Sequence, residues 1–166
     1  MNFRRLLFIS CFCVPIALVA CGNNGAAEKA VRNILNDPNS AIFSNMAAGA
    51  EKGSVCGLVN AKNRMGGYVG ATPFFYRASG QVAILSAPSD SDFRMLWLRM
   101  KLPGVSDDDI RNDIGELMLK CRSIAQWKTV CGSDAPVSAP KLCEKMLPGS
   151  DGTDLYHALK AEFDGN

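Results

Sequence analysis

Histidine is almost missing from this chain: His157 is the single one among 166 residues. With no second histidine and no Gly-x-Ser-x-Gly, hydrolase chemistry built on a triad has no support. There is no Cys-x-x-Cys pair, so a zinc knuckle is disfavoured as well. The glycines of Gly66-Gly67-x-x-Gly70 lack a following Gly-Lys-Ser/Thr and a strand–helix context, which removes nucleotide-loop chemistry. Aspartates are present, as Asp90, Asp92 and Asp107-Asp108-Asp109, but not at the spacing of a calcium loop. No cofactor and no metal is expected. The longest apolar run, Leu6 to Ala20, has 15 residues and contains Pro15. That is short of the roughly 20 residues a permanent membrane span requires.

What is present begins with that run. Met1-Asn2-Phe3-Arg4-Arg5 precedes it and Leu18-Val19-Ala20-Cys21 ends it, the charged, apolar and small-residue order of an export signal over residues 1–20. Leu18-Val19-Ala20-Cys21 resembles the lipobox of bacterial lipoproteins at all four positions. The resemblance implies a diacylglycerol thioether on Cys21, cleavage before it, and acylation of the new amine with palmitate-class chains. Several acyl chains at about 0.8 kcal/mol per buried methylene make a strong membrane tether. Gly22, where an aspartate would retain such proteins at the inner membrane, points to the periplasmic face of the outer membrane. Residues 21–26 read as the lipidated cysteine and a short flexible tether, and residues 27–166 as one globular periplasmic domain.

Processing changes two counts. The formal charge of +2 comes from 18 Lys+Arg against 16 Asp+Glu, and Arg4 and Arg5 supply the whole excess. The mature chain is neutral, so nucleic acid is not an expected partner. Of seven cysteines, Cys11 and Cys13 leave with the signal and Cys21 carries lipid. Cys56, Cys121, Cys131 and Cys143 remain, an even number in an oxidising compartment, and two disulfides are expected. Four cysteines allow three pairings. A long helix packed on a sheet favours Cys56 with Cys121, leaving Cys131 and Cys143 to close the intervening loop.

Hydrophobic periodicity gives an α+β domain. Ala27, Ala30, Val31, Ile34 and Leu35 make a first helix over Ala26–Asn36, ended at Asp37-Pro38. Asp37 then caps a helical turn running through Ser40 to Phe43, with Ile42 and Phe43 as core anchors. From Gly53 the pattern is extended. Val55–Asn60, Gly67–Arg77 and Gln81–Ser86 form a three-stranded antiparallel sheet, with Pro73 marking a break or an edge. Phe74-Phe75-Tyr76 alternates, so one aromatic faces away from the core unless helices cover both sides. Asp90–Lys101 fits helix or strand and is read as helix, capped by Asp90 or Ser91. Ser106 caps the clearest helix, which carries Ile110, Ile114, Leu117, Met118, Cys121 and Ile124 on one face. Residues 132–140 are loop, and Thr153 caps a last helix. The C-terminal helices pack on one face of the sheet.

Two stretches carry a further resemblance: Leu35-x-Asp37-Pro38-x-Ser40-Ala41-x-Phe43, and Val55-Cys56-Gly57-x-Val59-Asn60-x-Lys62-Asn63-x-x-Gly66-Gly67-Tyr68-x-Gly70-x-x-Pro73-Phe74. Together they resemble a group of small exported proteobacterial lipoproteins of uncharacterised function, over residues 31–78. That resemblance implies no assigned activity. The candidate binding residues are Asn60, Lys62, Asn63, Arg64 and Tyr68, clustered on the glycine-rich hairpin. Amide and ammonium donors there suit an anionic or saccharide group, although asparagines and glycines also serve turn backbone. The expected function is a non-enzymatic, lipid-anchored envelope protein that binds a protein or envelope component. The alternatives are an inhibitor or immunity lipoprotein against a toxin or lytic enzyme, and a cell-wall-active enzyme.

Overall fold

The computed structural model describes residues 23–147 and 152–164. The expected signal segment, Cys21 and residues 148–151 lie outside the described residues. The chain forms helix α1 (Asn24–Arg32), a 3-10 turn (Pro38–Ser40), strands β1 (Ile42–Ala48), β2 (Val55–Asn60), β3 (Thr72–Tyr76) and β4 (Val82–Ile84), then helices α2 (Asp90–Lys101) and α3 (Asp107–Cys131). A 3-10 segment (Lys141–Met146) and helix α4 (Gly152–Asp164) follow. The fold is α+β, with an antiparallel sheet in the order β1-β2-β3-β4.

The sheet has four strands rather than three. Asp37 does cap the 3-10 turn, its carboxylate accepting from the Ser40 amide at 3.3 Å. The chain then extends at once instead of continuing as helix, and Ile42 pairs with Asn60 at the start of β1. Ile42 is 55% exposed, so it is no core anchor. Phe43 is half-buried: its ring meets the edge of Phe74 at 5.7 Å under the Arg32 guanidinium. α1 begins at Asn24, inside the expected tether, and ends at Arg32, four residues early, which leaves Ile34 exposed.

Alternation in β2 and β3 divides two cores. Val55, Val59 and Phe74 lie against Ala27 and Val31 of α1. Cys56 and Phe75 lie on the other face against Trp127 and Val130 of α3, with the Phe75 and Trp127 rings 6.5 Å apart. Helices therefore cover both faces, and Phe74 and Phe75 are each fully buried. Pro73 sits inside the sheet without breaking β3, opposite Leu58 on β2. Its carbonyl accepts from Leu85 at 2.7 Å, so its missing N–H also faces the β4 side, where the β3–β4 pairing stops at Ile84.

α3 is the spine of the molecule. Ser106 caps it, accepting from the Asp109 amide at 3.2 Å, and Gly132 ends it in the left-handed conformation at φ 81°. Its last turns cover the sheet. Its earlier turns build a third core, in which Leu117 and Cys121 pack with Phe93, Leu96 and Trp97 of α2, Cys143 and Met146 of the 3-10 segment, and Leu155 and Leu159 of α4. α2 is capped by Ser89 rather than Asp90 or Ser91, in a reciprocal capping box with Asp92. α4 starts at Gly152, ahead of the expected cap at Thr153.

Two disulfides are present, with different partners from those expected. Cys56 joins Cys131, Cα atoms 5.9 Å apart, and Cys121 joins Cys143 at 5.2 Å. The physical reason is the length of α3. Ten residues separate Cys121 from Cys131, about 15 Å of helix, so only Cys131 reaches β2 while Cys121 belongs to the helical core. No helix among the described residues is long and apolar enough to cross a membrane.

Candidate functional site

The last residue of β2 and the connection to β3 carry all five candidate residues, and the structure separates them into two roles. Asn60 and Asn63 hold the loop. The Asn60 side-chain oxygen accepts from the Gly70 amide at 3.0 Å. Asn63 accepts from the Met65 and Gly67 amides at 2.9 and 3.1 Å, and its own N–H donates to the Gly67 carbonyl at 2.8 Å. These bonds satisfy backbone that no strand partner serves, which is what asparagine does in tight turns.

Lys62, Arg64 and Tyr68 are the displayed group. A lone bridge pairs Lys62 with Tyr68, and the Lys62 ammonium stands 5.5 Å from the Tyr68 ring centroid. The Lys62 amide donates to the Ser40 hydroxyl at 2.9 Å, so the base of the hairpin is tied to the 3-10 turn. Arg64 reaches Asn36 across 3.4 Å. Most of its donors remain available.

Apolar neighbours complete the surface, and of these the sequence marks only Tyr68 as a site residue. Met65 at the tip is 92% exposed, with Tyr68 at 50% and Val69 at 63%. Ile42, opposite Asn60, and Ile34, after α1, are exposed at the same end of the sheet. Single exposed apolar side chains are ordinary, but five at one end with a basic rim resemble a contact surface. The available signal was the pair Met65 and Val69, apolar residues inside an otherwise polar turn.

The opposite end of the sheet holds the start of the described chain. The Asn23 side-chain amide donates to the Gly53 carbonyl at 2.8 Å in the β1–β2 turn. β2 runs from that turn to the hairpin, and its six residues span roughly 20 Å. The hairpin and Asn23 are thus on opposite ends.

Other groups are engaged in structure. Asp92, Arg99, Asp113, Glu116 and Lys120 surround a cavity of about 130 Å³ between α2 and α3. Arg99 pairs with Asp113 at 2.9 Å and Lys120 with Glu116 at 3.1 Å. The Asp92 carboxyl is held below the usual carboxylate range by the backbone and side-chain hydrogen bonds from Ser89. A general acid needs a shift in the other direction. Asp107, Asp108 and Asp109 occupy the first turn of α3, where the helix dipole favours them. His157 is exposed on α4 with its ring 5.7 Å from Tyr156. No cluster of three His, Cys, Asp or Glu side chains suited to a metal occurs among the described residues.

The chain matches no family model, no curated protein and no solved structure. The surface at the hairpin stands on its residues.

Proposed function

We propose that this protein is a lipid-anchored envelope component that displays the Lys62–Val69 hairpin to a protein or envelope partner on the side facing away from its membrane. The observation that carries the reading is the opposition of Asn23 and the hairpin across the sheet. Asn23 follows Cys21 by two residues, at most about 7 Å of chain, so a lipid on Cys21 fixes the near end and frees the far one. The outer membrane is the proposed location, with the domain in the periplasm.

Recognition at this surface combines Met65, Tyr68 and Val69 as apolar contacts with Lys62 and Arg64 as a basic rim. Tyrosine and arginine are the residue types that most often dominate binding energy. The internal hydrogen bonds of Asn63 keep the loop in one shape, which lowers the ordering cost of association. That same feature supports a second reading, an inhibitor whose Met65 tip enters a cleft of a toxin or lytic enzyme.

Cys21→Ala is expected to release the protein from membranes, and full retention would refute the anchor. Lys62→Ala with Arg64→Ala, and separately Tyr68→Ala, are expected to weaken partner capture about tenfold or more. Stability should move by no more than about 0.5 kcal/mol, as for exposed positions elsewhere. Undiminished capture by both variants would remove the hairpin as the site.

A further inference from the structure

A second surface lies at the Asn23 end. An open depression of about 620 Å³ is lined by Arg77, Arg122, Ala125, Gln126, Thr129 and Leu147. Arg122, Gln126 and Thr129 are spaced i, i+4 and i+7 on α3, so their donors share one helix face. Ala125 leaves room between them. Arg77 enters from the end of β3, where its guanidinium is paired with Glu51 at 2.9 Å and with the Gln81 oxygen at 3.1 Å.

Arg122 has no such compensation among the described residues. Its terminal nitrogen lies 3.7 Å from the Met118 sulfur, and its Nε is buried without an acceptor. None of the six ion pairs seen among the described residues involves Arg122. Burying the Nε–H of a guanidinium without an acceptor is costly. A fork of N–H donors flanked by a hydroxyl and an amide matches an oxyanion.

The position of the depression narrows the source. Arg77 leads into the turn whose Ala78 methyl abuts Gly53, and the Gly53 carbonyl holds Asn23. On the other wall, the Glu51 amide donates to the Val130 carbonyl, next to Thr129. Both walls are therefore tied to the β1–β2 turn that Asn23 contacts. We propose that this depression binds the phosphodiester oxyanion of a phospholipid headgroup in the membrane that holds the protein, with Arg122 as the principal donor and Gln126 and Thr129 completing the cradle. The oxyanion chemistry rests on Arg122; the lipid source rests on the anchor reading. With Glu51 neutralising Arg77, Arg122 is the one unneutralised charge among the described lining residues, which suits a singly charged diester.

The test uses the full protein purified from membranes in a nonionic detergent, with three probes: inorganic phosphate, glycerophosphoglycerol, and micelles doped with phosphatidylglycerol. Modification of Arg122 by an arginine-specific dicarbonyl is followed by mass spectrometry, with exposed Arg94 as internal reference. Glycerophosphoglycerol and doped micelles are expected to slow modification of Arg122 several-fold and to leave Arg94 unchanged. Calorimetric affinity for glycerophosphoglycerol is expected to fall at least tenfold in Arg122→Gln and several-fold in Thr129→Ala, a surface change that leaves folding intact. Protection by inorganic phosphate but not by doped micelles would overturn the lipid assignment. No protection by any probe, or unchanged affinity in both variants, would overturn the site itself. Failure of Cys21→Ala to release the protein would remove the anchor while leaving the glycerophosphoglycerol result to stand or fall alone.

Discussion

At the scale of single residues, the asparagines and glycines of this chain do structural work that leaves other side chains free for contact. Asn63→Ala is expected to lower stability by about 1 kcal/mol, because two loop amides lose their acceptor, and to weaken partner capture more than an exposed change should. Capture unchanged by this variant would show that loop shape is irrelevant. Gly49 is a stricter position. A methyl there would stand 2.4 Å from the Val130 carbonyl and 2.3 Å from the Ser54 hydroxyl, and a backbone oxygen cannot swing aside. Gly49→Ala is expected to cost more than about 2 kcal/mol, read as a fall in unfolding midpoint with denaturant slope unchanged. At this scale the sequence was half legible: the polar hairpin residues were visible, but Met65 and Val69 looked like neither core nor site until their exposure was seen. Arg122 carries no signal in the sequence, since only the fold shows that its Nε is buried without an acceptor.

At the scale of elements, local chemistry was legible wherever a cap or a period was complete. Ser106 with three following aspartates predicts α3, and the helix expected over Asp90–Lys101 is α2, with its cap at Ser89 instead of Asp90 or Ser91. β1 is not legible in the sequence for a physical reason. Its register shifts between Ser44 and Ala47, and Asn45 adopts a positive φ of 51° there. A bulge in an edge strand breaks the two-residue alternation that identifies strands. The helix caps also fix the acid limb of stability. Asp92 and Asp109 are held below the usual carboxylate range by hydrogen bonds from Ser89 and Ser106, and Asp164 by those from Lys101 and Trp97. A carboxyl whose folded pKa lies below its unfolded value near 4 stabilises the fold above that value and loses the contribution as pH falls. Thermal midpoints should hold level from pH 7 to about 5 and decline below about 4. Asp92→Asn should flatten that decline, and a midpoint indifferent to pH between about 5 and 3 would contradict the assignment.

At the scale of the whole molecule, α3 unites a helix-covered sheet with a helical cluster, and each disulfide fastens it to one of them. Loop closure predicts about 4 kcal/mol for Cys56–Cys131 and about 3 kcal/mol for Cys121–Cys143, given separations of 75 and 22 residues. Replacing both partners of either bridge by serine should lower the unfolding midpoint accordingly, the longer closure by more. Peptide mapping without reduction should recover these two pairs; recovery of Cys56 with Cys121 would contradict the placement of α3. The number of disulfides was readable from the cysteine count. Their partners were not, because the pairing depends on which turns of a 25-residue helix overlie the sheet.

The central claim is that the molecule has a membrane end at Asn23 and a partner end at the hairpin. The most direct measurement places a photo-reactive amino acid at position 65, and in a second strain at exposed position 52 in the β1–β2 turn, and identifies crosslinked species in living cells. The account predicts a discrete partner captured from position 65, lost on Tyr68→Ala and absent from position 52. The same partner captured from position 52, with none from position 65, would contradict it.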